Sequence, residues 1–151
     1  MTGADILNAV RVSDHLLTGG HPTEEQLRAV AADGVTAVIN LAPVRPGQGL
    51  ADEAGLVRSL GMAYEHIPVA WDDPRESDFT AFEAAMQRHA GGKLLVHCAL
   101  NYRVTAFVSL YGLKHEGWSR EQAEALRAKV WQGDYPAWNA FIERMTRACA
   151  G

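Results

Sequence analysis

Cysteine is scarce in this chain: 151 residues carry two, Cys98 and Cys149. That excludes a disulfide framework, and the two are read as independent thiols. Paired CxxC and HExxH motifs are missing as well, and His15, His21, His66, His89 and His115 show no ligand spacing, so neither a metal nor a cofactor is expected. Positive charge is not in excess. Fourteen Lys and Arg face eighteen Asp and Glu, a net charge of −4, with a pI near 5.8. No basic stripe is left to neutralise phosphates, which argues against a nucleic-acid partner. No apolar run reaches the ~18 residues of a membrane span. The opening MTGADILNAV has no basic flank followed by an apolar block. A cytoplasmic protein with reduced thiols and no membrane partner is the expectation.

What is present is a globular composition, 48% apolar and 21% charged, and residues 1–151 read as one domain. The elements alternate. Thr23-Glu24-Glu25-Gln26 is a capping box opening a helix to about Asp33, stopped by Gly34. TAVINLA (36–42), AYEHIPV (63–69) and LLVH (94–97) read as strands. Further helices are expected over 52–60, from a Ser77 cap to His89, over 102–115, from Ser119 to about Trp131, and from Pro136 onward. PVRPGQG (43–49) and AWDDPRES (70–77) are turn-rich loops. Strands separated by helices imply an α/β fold, with a central, mainly parallel sheet of four or five strands and helices on both faces. Ligands in such folds bind beyond the carboxyl ends of the strands. Cys98 stands at one such end, and Asp72 and Asp73 lie just past another.

The stretch LLVHCALNYRVTAF (94–107) carries the chemistry. A loop from a strand end to a helix start gathers N–H groups at the positive end of the helix dipole, where anions bind and a thiolate is stabilised. Arg103, at the far end of the loop, offers a planar fork to two oxygens of a phosphate-like group. A thiolate facing the centre of a tetrahedral anion, with donors around the equatorial oxygens, has the geometry for in-line attack on phosphorus. So tight a loop needs a residue with φ > 0, and Asn101 is one of the few non-glycine types that tolerates it. Thr105, on the first helical turn, is placed to offer the thiolate a hydroxyl hydrogen bond.

VHCALNYR followed by a helix resembles the signature of the cysteine-dependent protein tyrosine and dual-specificity phosphatases. There His-Cys, five residues, Arg and then Ser or Thr form the phosphate loop. SDHLLTGGHPTEEQLRAVAADGVTAVINLAP (13–43) is similar to the opening of a bacterial branch of that superfamily. EHIPV and the acidic loop after it stand where those enzymes carry a general-acid loop, so the likeness runs in order over roughly residues 12 to 115. The resemblance implies a protein tyrosine phosphatase-like fold and phosphomonoester hydrolysis through a phosphocysteine. Cys98 would be the nucleophile. Arg103 and the N–H groups of Ala99, Leu100, Asn101, Tyr102 and Arg103 would hold the phosphate. Asp72 or Asp73 would protonate the leaving oxygen, Asp72 being preferred because it follows Trp71, whose ring can anchor the loop. His97 would orient the loop and tune the thiolate. The implied partner is a phosphorylated protein or small molecule, or inorganic phosphate or sulfate; oligomeric state is left open.

One departure stands out. Only Ala99, Leu100, Asn101 and Tyr102 separate Cys98 from Arg103, and Val104 occupies the usual arginine slot, while Thr105 keeps its family position. One residue is about 100° of helix rotation, so Arg103 fills the usual place only if the loop tightens. Four intervening residues is the length found in rhodanese-type sulfurtransferases, which carry a persulfide on their cysteine in a smaller cradle. Three readings follow: a phosphatase with a short loop, a sulfurtransferase using the same cysteine, and a pseudophosphatase that binds phosphate without turnover.

Overall fold

The computed structural model describes residues 5–150. Five strands, β1 Val10–Ser13, β2 Leu16–Gly19, β3 Val35–Asn40, β4 Ala63–His66 and β5 Lys93–His97, form one sheet in the order β1-β2-β5-β3-β4. Every pairing is parallel except that of β1 with β2. The α/β expectation holds, at five strands. Neither β1 nor β2 was legible in the sequence: each is four residues long, VRVS and LLTG, and lacks the continuous apolar run that marks LLVH.

Among the described residues six helices complete the fold: α1 Glu24–Ala32, α2 Glu53–Ser59, α3 Glu76–Arg88, α4 Tyr102–His115, α5 Arg120–Ala128 and α6 Pro136–Ala150. The two capping boxes form as read. Gln26 N–H donates to Thr23 Oγ1 at 3.1 Å and Thr23 N–H to Gln26 Oε1 at 2.9 Å, and Ser119 with Gln122 repeats the pattern at the head of α5. The Ser77 cap is corrected. Helix α3 opens at Glu76, because the Asp78 carboxylate accepts the Arg75 N–H at 3.0 Å and closes the first turn two residues earlier. Among the described residues no helix is long and apolar enough to cross a membrane.

The alternation of strand side chains builds two apolar layers. Leu95 of β5 and Val38 of β3 pack with Leu27 and Val30 of α1 and Val57 of α2. Leu94 and Val96 point to the opposite face, where Ile39 meets Phe79 and Phe82 of α3, Phe107 of α4, and Trp138 and Phe141 of α6. Helix α4 is buried from Arg103 through Leu113. A helix that is apolar on every side must be enclosed, and α5 and α6 lie over it. Strand β5 has β2 on one edge and β3 on the other, so the loop holding Cys98 leaves the central strand of the sheet.

Phe107 meets the rings of Phe79, Phe82 and Phe141 at centroid distances of 5.7, 5.6 and 6.0 Å. Phe107→Ala is expected to cost about 3–5 kcal/mol, read as a lowered midpoint in urea with the slope unchanged.

Candidate active site

The segment leading from β2 into α1 holds the loop that follows β5. Cys98 N–H donates to Gly19 O at 3.2 Å and His21 N–H to Ala99 O at 3.1 Å, while Leu100 bridges Gly20 and its carbonyl accepts from Asn8 Nδ2 at 3.0 Å. A Cβ on Gly20 would lie 2.5 Å from Ala99 O. Nothing larger than glycine fits there, which gives a physical reason for the second glycine of GGHPT.

Asn101 takes φ 71 and ψ 7, the left-handed turn expected of it, and caps α4. Its side chain points backward: Nδ2 donates to Asn8 O at 2.8 Å and to Thr18 Oγ1 at 3.0 Å. The Thr105 expectation is corrected. Its hydroxyl faces Asn101 O at 2.8 Å and Tyr102 O at 3.1 Å and accepts from Trp131 Nε1 at 3.0 Å. It braces the first turn of α4 and does not face the thiol.

With four residues between Cys98 and Arg103, the arginine turns toward the cleft and Val104 goes fully into the core. Arg103 Nη1 donates to Val69 O at 2.9 Å, and its guanidinium carbon lies 5.9 Å from the centroid of the Trp71 ring. A cavity of about 280 Å³ is lined by Cys98, Ala99, Leu100, Tyr102, Arg103, Trp71 and Tyr135. Cys98 is 1% exposed. Of the anticipated binding residues, Ala99, Leu100, Tyr102 and Arg103 line this space; Asn101, Thr105 and His97 stand behind it.

Asp72 and Asp73 are both exposed, and neither lines the cavity. The Asp73 carboxylate is taken by Arg75, at 2.9 Å from Nε and 2.7 Å from Nη2. Asp72 has no such partner among the described residues. Trp71 anchors this loop, as its ring suggested: it sits 5.8 Å from Trp131, 5.2 Å from Tyr135, 5.4 Å from Trp138 and 6.0 Å from Tyr102, and its carbonyl accepts from Trp138 Nε1 at 2.6 Å. Tyr135 was missed in the sequence, since nothing in one chain signals that a residue before α6 returns to the end of β5.

Behind the loop stands a buried polar group. His97 is fully buried and Glu53 nearly so; Nε2 of His97 lies 2.7 Å from Glu53 Oε2 and Nδ1 lies 3.2 Å from the Cys98 carbonyl. Burial pushes the Glu53 carboxyl up, yet its hydrogen bond to His97 and the charge of that ring, with help from Tyr64, hold it below the usual carboxylate range. Burial, with Glu53 adding, pushes Tyr64 up to about 12. His21 meets the His97 ring edge-on at 5.8 Å, and burial together with His97 lowers its pKa. Glu53 was also missed: an acid at a helix start reads as an ordinary dipole partner.

A central parallel strand ending in His-Cys, a tight loop and an arginine at the head of a buried helix stand here on a protein tyrosine phosphatase-like fold. No family model matches the sequence. A Shewanella putrefaciens CN-32 protein solved as "Putative phosphatase (DUF442)" is 34% identical, with a TM-score of 0.90 over 98% of this chain and 97% of that one. The chain belongs to this DUF442 family. Pseudomonas aeruginosa TpbA, solved also with pTyr bound, shares the fold at 17% identity and a TM-score of 0.73, covering 96% and 92% of the two chains. The "Beta-lactamase hydrolase-like protein" of Xylella fastidiosa is 29% identical over 123 residues, 80% of this chain. The chain spans about 28% of the length of that curated relative.

Because Asn101 supplies both the left-handed turn and two buried hydrogen bonds, Asn101→Ala should cost about 2–4 kcal/mol. Asn101→Gly should cost less, because glycine adopts the turn without strain. Urea melts of the two variants beside wild type check the order.

Proposed function

We propose that the chain is a single phosphatase-like domain that hydrolyses phosphomonoesters at Cys98, with a preference for aryl esters. The observation that carries the reading is the cavity in which Cys98, the start of α4 and Arg103 converge. The Cys98 sulfur attacks phosphorus as the P–O bond to the leaving group breaks. Arg103 and the N–H groups from Ala99 onward stabilise the charge growing on the phosphoryl oxygens, and Asp72 gives its proton to the leaving oxygen. Water then attacks the phosphocysteine, releasing orthophosphate and the thiolate. Asp72 is assigned over Asp73 because Arg75 occupies the latter. The aryl preference rests on the walls: Trp71, Tyr102 and Tyr135 present three rings, and an offset or edge-on aromatic pair is worth about 0.5–1.5 kcal/mol beyond its burial. Among the described residues Arg103 is the one charged side chain lining the cavity, which suits a substrate with a single anionic group over a polyphosphate. The site needs neither metal nor cofactor for this chemistry.

Sulfur transfer at the same cysteine is the second reading. It is favoured by the four-residue loop and by acidic side chains that stand outside the cavity.

Purified protein is expected to cleave p-nitrophenyl phosphate, with kcat/KM about tenfold or more above that for an alkyl phosphate such as β-glycerophosphate. Cys98→Ser should abolish this, and Asp72→Asn should lower kcat by about 10²–10⁴-fold while Asp73→Asn changes it little. Thiocyanate formation from thiosulfate and cyanide, lost in Cys98→Ser and without phosphate release, would replace the first reading with the second. Iodoacetate at pH 6 should label Cys98 far faster than Cys149, whose thiol burial pushes up, and phosphate or vanadate should protect it.

A further inference from the structure

The His97 ring is bracketed by two acceptors, the Glu53 carboxylate at 2.7 Å from Nε2 and the Cys98 carbonyl at 3.2 Å from Nδ1. A carboxylate has no proton to give, and the Glu53 carboxyl is held below its usual range in spite of its burial, so Nε2 carries the proton of the 2.7 Å bond. We propose that Glu53 is a positioning residue for the Cys98 site, acting through His97, whose ring it fixes behind the loop.

The role rests on the reading of Cys98 as an activated thiol, and it is geometric. Anchored by the carboxylate at Nε2, the ring lies against the Cys98 carbonyl through Nδ1 and fixes the orientation of the first peptide of the loop. The charged and titratable groups packed around it are Glu53 from α2, His21 after β2, Tyr64 from β4, Cys98 of the loop and Arg103 of α4. His21, edge-on at 5.8 Å, has its two ring nitrogens enclosed without a partner. Burial and the neighbouring His97 lower its pKa. Glu53 is the first helical residue of α2, behind the Asp52 cap. Its place thus couples an element remote in sequence to the phosphate loop.

The test is nitrogen NMR on the full chain with ¹⁵N-labelled histidine, beside iodoacetate labelling of Glu53→Gln and Glu53→Asp. In wild type the His97 Nε2 should carry the proton that it donates to Glu53. Cys98 labelling at pH 6 should slow by about tenfold in Glu53→Gln. Glu53→Asp should restore most of that rate. A His97 Nε2 without a proton in the wild-type spectrum, which needs no variant to fold, would overturn the proposal; so would wild-type labelling kinetics in Glu53→Gln. Wild-type Cys98 labelling no faster than Cys149 would sink the activated-thiol reading and the positioning role with it. The spectrum would still report the Glu53–His97 bond on its own, so the two failures are distinguishable.

Discussion

The seam where Gly19, Gly20 and His21 lie against Cys98, Ala99 and Leu100 is the constraint on which the site depends. Parallel pairing of β2 with β5 ends at Gly19 and His97, and past that point the two chains continue side by side through the Cys98–Gly19 and His21–Ala99 hydrogen bonds. The approach is so close that a single methyl at Gly20 would collide with Ala99 O. A loop held along this edge cannot spread. It must reverse within a few residues, and the reversal falls on Asn101 in the left-handed conformation. From there α4 starts one residue after the turn, and Arg103 faces the cavity in place of Val104.

The two sides of the loop have different chemistry. The back is polar and fixed: Glu53, His97, Thr18 and Asn8 take up its carbonyls and side chains at hydrogen-bond distance. The front is aromatic, with Trp71, Tyr102 and Tyr135 around the thiol and Arg103 as the one charged lining side chain. Rings displace water from the cleft and lower the local dielectric, so an anion there interacts more strongly with a single guanidinium than it would in a hydrated groove. A protein of net charge −4 thus holds a guanidinium in an aromatic cleft without a basic surface.

Much of this was legible in the sequence, for identifiable reasons. Capping boxes are local, and those at Thr23 and Ser119 form as read. LLVH is a buried run ending at a chemically loaded loop, and Asn101 has the side chain its φ demands. What failed was either very short or non-local. Strands β1 and β2 have four residues each, and their place in the sheet is decided by β5, far along the chain. Glu53 and Tyr135 reach the loop from α2 and from the approach to α6, and no spacing rule links them to Cys98. Thr105 was placed on the right turn, but its hydroxyl is claimed by nearer backbone carbonyls, a competition that a motif does not display.

The Trp138 indole of α6 donates to the backbone of Trp71, and Trp131, just beyond α5, donates to the carbonyl of Tyr102 at the head of α4. Helix α6 and the segment after α5 therefore grip both the acidic loop and the first turn after the cysteine. Selection on α6 and on the residues leading to it acts on the cleft as directly as selection on the loop itself.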